Sequence, residues 1–502
     1  YYSSNMYTRV VTGRNKDGSI RSYLQLVHGY RKNGKVHQQL ICSIGRLDIL
    51  QTGGGLDRLI ASLARHSERC WVEAEAGGLM PWDKTYGPVL VFRRLWEELG
   101  LARLFAEFQT STEVRFSVEE AAFAMALHRL LDPGSKRATY QWLETVYRPE
   151  FESLELQHLY RALDHLVRGK ERIEEDLFAR NRDLFSLAVD LVLFDTTLVH
   201  FEGLGPEDLA TAARPGNYPE CVKVLVGLVM TGDGFPVAHH IFPGNTADIT
   251  AFRAAIKDLR QRFSIRRVVI VADRGVVSEE VMDELEQVNE KEPDKKIDYI
   301  LGMRLRKNKE VRKEVLSRAG RYHEVANNLE VKEIWVGGRR YIVCHNGEGE
   351  VRDRKRREEI VERVREDLKK KGPQAFVMPR GLRRFVELTG GELMLKENAI
   401  REEARYDGKW VLRTSTNLPA SEVAVAYKSL WQMEHAFREL KSGLEIRPVF
   451  LRTEDHVRGH IMVCFLALVM EAALQRLLRE QGANGSYREV LSGLEEVRAI
   501  EL

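Results

Sequence analysis

Between residues 189 and 305 the chain alternates continuous apolar runs with helical periodicity, and few folds accept that pattern. "VDLVLFDTTLVHFEG" (189–203) reads as a buried strand with a single acid, Asp195, near its middle. "CVKVLVGLVMTGDGFPVAHHIFPG" (221–244) predicts two more strands turning at "TGDG", followed by an amphipathic helix in "DITAFRAAIKDLRQRF" (248–263). "RRVVIVADRGVV" (266–277) is a further buried strand ending in Asp273, "SEEVMDELEQVN" is helical and "IDYILGMRL" is a strand. Strands without a polar face must be covered on both sides, so this order predicts an α/β sheet with helices packed on it.

Two of these strands bring an acid into that apolar setting. Ligand sites in such sheets form at the ends of neighbouring parallel strands. Asp195 and Asp273 placed there repel one another, and each raises the other's pKa unless a cation intervenes. Hard oxygen donors of this kind suit Mg²⁺ or Mn²⁺. With a third carboxylate they complete a two-metal site, in which ions about 3.5–4 Å apart serve phosphoryl displacement. A lone Asp after an apolar strand is also a common helix or turn cap. Asp195 as the nucleophile of a phosphotransferase is disfavoured, because position 197 is Thr and not the usual second acid. The chain has neither a Gly-x-x-x-x-Gly-Lys-Ser/Thr loop nor a Gly-x-Ser-x-Gly elbow, which excludes a P-loop motor and an elbow-type serine hydrolase.

The third acid lies far along the chain. "YKSLWQMEHAFRELK" (427–441) predicts one continuous helix. At about 100° per residue Tyr427, Trp431, Glu434, Arg438 and Lys441 share a sector of roughly 80°, beside the stripe Leu430, Met433, Phe437 and Leu440. Glu434 and Arg438 stand at i,i+4, so the plain reading is a surface ion pair. The other reading is that the stripe docks on the sheet and its edge delivers Glu434 to Asp195 and Asp273.

The flanks divide the chain further. Residues 20–46 pivot on "RKNGK", an Asn-Gly hairpin, and "QTGGGL" (51–56) reads as a linker. From about 57 to 188 the pattern is helical, with a Ser117–Glu120 capping signal. The break at "DPGSK" reads either as a helix-turn-helix or as ordinary helical packing. Five expected regions follow: a β-hairpin region (1–52), a helical DNA-binding domain (53–186), catalytic core in two parts (187–303 and 416–502), and a β-rich insertion (304–415). Net charge is only +3, so overall charge names no partner. Basic clusters at 304–318, 352–359, 369–374 and 379–385 are compatible with phosphate contact, although 352–372 carries enough Glu to be a solvated helix face. The five cysteines have no CxxC spacing, which points to a reducing compartment and against a zinc site. The longest apolar run, "IMVCFLALVM" (461–470), is too short to span a bilayer and predicts a buried helix. No signal peptide is legible, and a cytoplasmic protein is expected.

The blocks "LVLFDTT", "VVIVADRG" and "YKSLWQMEHAFRELKSGLEIRPVF" resemble the three catalytic blocks of bacterial insertion-sequence transposases with an RNase H-like DDE domain. The branch resembled has a Tyr-x₂-Arg-x₃-Glu-x₆-Lys signature and a β-rich insertion before the Glu. Tyr427, Glu434 and Lys441 match it in spacing, "PGNTAD" (243–248) resembles another segment, and Leu430 stands where the signature has Arg. Arg438, on the same predicted face, is a substitute for that Arg. The resemblance implies a mixed five-stranded sheet with helices. It also implies that Asp195, Asp273 and Glu434 are catalytic metal ligands for two Mg²⁺ ions, with Mn²⁺ able to replace them. Tyr427, Trp431, Arg438 and Lys441 would meet DNA.

The reaction so implied is cleavage at the element's terminal inverted repeats and transfer to target DNA, cut-and-paste, with hairpin ends an option of the branch. A hairpin needs a flipped base stacked on an aromatic side chain, for which Trp410 and Trp335 are candidates beside their plainer role in strand packing. A homodimer on paired ends is implied, with no membrane and no nucleotide cofactor. DNA-bound protein would sit on the bacterial nucleoid. The alternatives are an RNase H-like nuclease or resolvase, and a silent relative that only binds DNA.

Overall fold

The computed structural model describes residues 5–14, 20–32, 35–51, 56, 83–110, 114–183, 190–203, 205–209, 211–212, 222–263, 267–273, 282–283, 285–287, 289, 296–371, 385–389, 392–483 and 485–500. The chain divides into a unit of residues 1–82 with 501–502, and a unit of residues 83–500.

In the first unit β1 (Asn5–Arg14), β2 (Ile20–Lys32) and β3 (Lys35–Arg46) form an antiparallel sheet in that order. Lys32 pairs with Lys35, so the expected hairpin is present. Its turn residues 33–34, and most of the linker at 51–56, lie outside the described residues. The first strand, β1, was not expected.

The second unit is built on a ten-stranded sheet. Its middle consists of β4 (Asp190–His200), β5 (Val222–Thr231), β6 (Pro236–Pro243), β7 (Arg267–Ala272) and β8 (Lys296–Gly302). β4 is central: β5 pairs antiparallel on one side, with β6 antiparallel beyond it, while β7 and then β8 run parallel on the other. The order in space is thus third, second, first, fourth, fifth. The run of three strands, helix and strand expected from the apolar pattern is observed, with the helix at Asp248–Arg262. The helix expected at 278–289 falls largely outside the described residues.

Four strands from 304–415 continue this sheet. β9 (His323–Ala326), β10 (Leu329–Val336) and β11 (Arg339–His345) form a meander, and β12 (Lys409–Thr414) joins β11 to β8, all antiparallel. From Lys332 to Val336 β10 alternates buried and exposed residues, while Leu329 and Val331 before them are buried in the opposite phase. The basic 352–359 segment lies in the helix Gly347–Lys371 and is largely exposed there, as a solvated helix face is.

Helices from 87 to 183 pack against the long helix Glu454–Glu480. Ser117 accepts the Glu120 N–H at 3.1 Å and caps Val118–Leu131. The Glu120 carboxylate does not complete a capping box; it accepts from Arg148 at 2.6 Å. Val118–Leu131 is buried along nearly its whole length, and the helix after "DPGSK" is only the seven residues Lys136–Trp142. Glu454–Glu480 extends well beyond the ten-residue apolar run. By length and composition it could cross a membrane, yet 67% of its most apolar window is buried inside the protein. Gly459 sets its approach to Leu156–Asp183: a Cβ there would lie 2.6 Å from the Leu163 Cβ.

Candidate active site

Register places the two aspartates side by side. On the parallel pair β4/β7, Leu193 lies opposite Val271. Two residues further along each strand, on the same face, come Asp195 and Asp273. Asp195 is half-buried near the middle of β4, and Asp273 follows the last residue of β7.

The expected continuous helix over 427–441 is instead two helices, Ala420–Lys428 and Trp431–Arg438, followed by a π-turn, Glu439–Gly443. Around Ser429 and Leu430 the bonding tightens: Leu430 N–H donates to Tyr427 O, and Met433 N–H to Leu430 O. Ser429 Oγ donates back to Val425 O at 3.3 Å, a bond that competes with the helical ladder and bends it. Met433, Phe437 and Leu440 are buried as expected, Leu430 is half-buried, and Glu434 and Arg438 are exposed. The i,i+4 ion pair between Glu434 and Arg438 is not formed among the described residues.

Across the break, Tyr427 Oη donates to Asp273 Oδ1 at 2.6 Å. Room for that phenol is made by Gly302, the last residue of β8 next to Asp273; a Cβ there would stand 2.3 Å from Tyr427 Oη. Asp195 Oδ1 accepts the Thr196 N–H at 2.8 Å, and Thr196 Oγ1 donates to Asp248 at 2.8 Å. Burial, then the charges of Asp273, Asp248 and Glu434, push Asp195 up to about 6 against the opposing Thr196 bond. Asp195 therefore feels both other expected acids, and Asp248 is a third neighbour. Sequence reasoning quoted "PGNTAD" without assigning its Asp. The available signal was an acid opening an amphipathic helix one strand from Asp195.

Cations belong to the same neighbourhood. Lys441 sits in the π-turn, where burial and then Arg447 lower its pKa while Asp195 raises it. Burial, then Lys223, Arg447 and Lys441, lower the pKa of His200 on β4. Arg447 was not expected. The aromatic candidates are dispersed: Trp431 is 61% exposed, Trp335 is exposed on β10 and donates to Glu333, and Trp410 packs half-buried against the core.

The carboxylates fit a divalent ion in kind, as hard oxygen donors, and burial followed by the neighbouring charges raises Asp195. Among the described residues, no three His, Cys, Asp or Glu side chains are gathered as closely as ligands around one ion.

The core is a mixed five-stranded sheet with one acid, Asp195, near the middle of a parallel strand and another, Asp273, just after its parallel neighbour. The family model of the transposase DDE domain matches residues 190–470, and that of the IS1634 family transposase N-terminal domain matches residues 8–76. The first match spans more than half of the chain, which belongs to the transposases with a DDE domain. Two solved structures are similar. One is a piggyBac transposase synaptic complex with hairpin DNA, at 10% identity over 81% of this chain and 79% of that one, with a TM-score of 0.39. The other is a Mos1 transposase paired-end complex with left transposon end, at 15% identity over 48% of this chain and 69% of that one, with a TM-score of 0.15. At those scores both are distant likenesses. No curated protein sequence matches the chain.

Proposed function

We propose that this transposase binds the ends of its own insertion sequence, cuts DNA there and joins the freed 3′ end to target DNA. The observation that carries the reading is the register that sets Asp195 and Asp273 side by side on β4 and β7, with Tyr427 joining Asp273 to the segment that leads into the Glu434 helix. Asp195, Asp273 and Glu434 would hold Mg²⁺ or Mn²⁺, which when bound supplies Lewis acidity to the attacking and leaving oxygens. Asp195 must shed its proton to serve, and Thr196 N–H, held on its Oδ1, favours the charged form. Tyr427 fixes the orientation of the Asp273 carboxylate. Lys441 and Arg438 would meet backbone phosphates, with the exposed Trp431 beside them. Hairpin ends are part of the proposal, with Trp410 or Trp335 as the stacking residue, and so is a homodimer on paired ends.

The test incubates the protein with DNA carrying the element's ends and Mg²⁺ or Mn²⁺, and resolves the products on denaturing gels. Wild type should cut at a discrete position. Asp195→Asn and Glu434→Gln should lose cleavage by at least about a thousandfold while still binding the ends. A slowly migrating closed species would report the hairpin. Binding without cleavage in wild type would replace the proposal with a silent DNA-binding protein.

A further inference from the structure

A second charged site lies where the "DPGSK" turn meets the loop after the π-turn. A cavity of about 240 Å³ opens there, lined by Arg129, Ser135, Lys136, Glu445, Arg447 and His460 among others. One water needs only about 15 Å³ of such space.

Its charge is unbalanced. Lys136 is 5% exposed, and its ammonium has no hydrogen-bond or ion-pair partner among the described residues. Arg129 is also buried, and its guanidinium donates to three carbonyls, Gly134 at 2.6 Å, Glu445 at 3.2 Å and Leu444 at 3.3 Å. Those bonds fix its orientation without cancelling its charge. Arg447, half-buried, likewise has no partner among the described residues. His460 lies 3.2 Å from Ile446 O, and burial followed by Arg129 and Lys136 holds it neutral. Burial and then Arg129 lower Lys136 to about 7, opposed only by Cys464. Glu445, the one acid in the lining, is exposed.

A buried ammonium without a counter-charge is expensive, and ordinary packing needs neither that charge nor an open cavity beside it. We propose that this cavity is an anion site that takes a phosphate group, with Lys136 and Arg447 as its direct contacts and Arg129 as fixed positive background. Lysine supplies a point charge and arginine a planar fork, the pair of geometries that suits a tetrahedral anion with several acceptor oxygens. Arg447 also bears on Lys441, so the cavity adjoins the cations of the candidate active site. The phosphate is either a free ion or part of a nucleic-acid backbone.

Calorimetric titration of the full chain with inorganic phosphate, at ionic strength held with chloride, tests this. Saturable binding is expected, weakened at least about tenfold in Lys136→Met and in Arg447→Gln. Lys136→Met should also melt at a higher temperature than wild type without phosphate, since it removes an unpaired buried charge; Arg447→Gln serves independently should the buried variant misfold. The titration is then repeated on protein saturated with a short duplex. Loss of the phosphate heat assigns the site to backbone phosphate, and its persistence assigns the site to a free anion. No saturable binding to wild type, or unchanged binding in both variants, overturns the proposal.

Discussion

At the scale of single residues, Gly302 illustrates how an absent side chain serves a site. The Tyr427 phenol reaches Asp273 through the space a Cβ would fill. Gly302→Ala should therefore act like Tyr427→Phe, lowering end cleavage by about ten- to a hundredfold with little change in melting temperature. An Ala variant of wild-type activity would show that the phenol is dispensable. Glu471, on the long helix, is 3% exposed and accepts from Gln475 at 2.8 Å. Burial, then Glu439, push it up to about 8 from an ordinary 4.5. The folded state thus holds this proton more tightly than the unfolded chain, so stability is full below the ordinary value and falls as pH rises through about 8. Glu471→Gln should stabilise the protein by roughly 3–5 kcal/mol above pH 8 and hardly at all at pH 4, measured by thermal unfolding at the two extremes.

At the scale of elements, a buried carboxylate helps tie Leu156–Asp183 to the sheet. Glu174 is fully buried, and its oxygens accept from Lys170 at 2.7 Å, Arg262 at 2.8 Å and the His239 backbone N–H at 2.9 Å. Burial alone would raise its pKa, but Lys170, His239 and Arg262 outweigh this and hold it well below the ordinary carboxylate range. One side chain thereby joins a helix, β6 and the helix Asp248–Arg262, whose first residue is Asp248. Glu174→Ala leaves the buried His239 N–H without its acceptor and takes one of two carboxylates from Arg262, which keeps Asp258, and should cost about 2–4 kcal/mol in urea denaturation. A loss below about 1 kcal/mol would mean that water enters and replaces the carboxylate.

At the scale of the molecule, the strongest structural dependence runs between distant parts of the chain. Leu156–Asp183 packs on Glu454–Glu480 closely enough that Gly459 has no room for a Cβ. Cutting away the first 180 residues would strip this partner from the core and expose the long apolar helix. The natural cut falls at residue 82, where the contact pattern divides. A fragment of residues 83–500 should keep a cooperative thermal transition within about 5 °C of the intact protein. If the first unit reads bases, the fragment should lose preference for the element's ends; unchanged preference would place base reading in the helices after residue 83.

Continuous apolar strands, the acids Asp195 within one and Asp273 just after another, and the apolar stripe around Glu434 were legible because they are local patterns with a fixed physical cause: a strand covered on both faces has no place for an unpaired charge. Local pattern also predicted the hairpin of β2 and β3 and a buried helix over 461–470, which lies inside the longer helix Glu454–Glu480. It missed the break at Ser429–Leu430, since nothing in helix propensity announces a hydroxyl turning back on Val425 O. It left Asp248, Arg447 and Lys136 without roles, because each gains its significance from neighbours tens to hundreds of residues away. Periodicity thus determined which segments are buried and which acids had to be accounted for. Only tertiary structure decided which charges face one another, because electrostatic interaction depends on distance in space and on exclusion of water, and neither is a property of sequence separation.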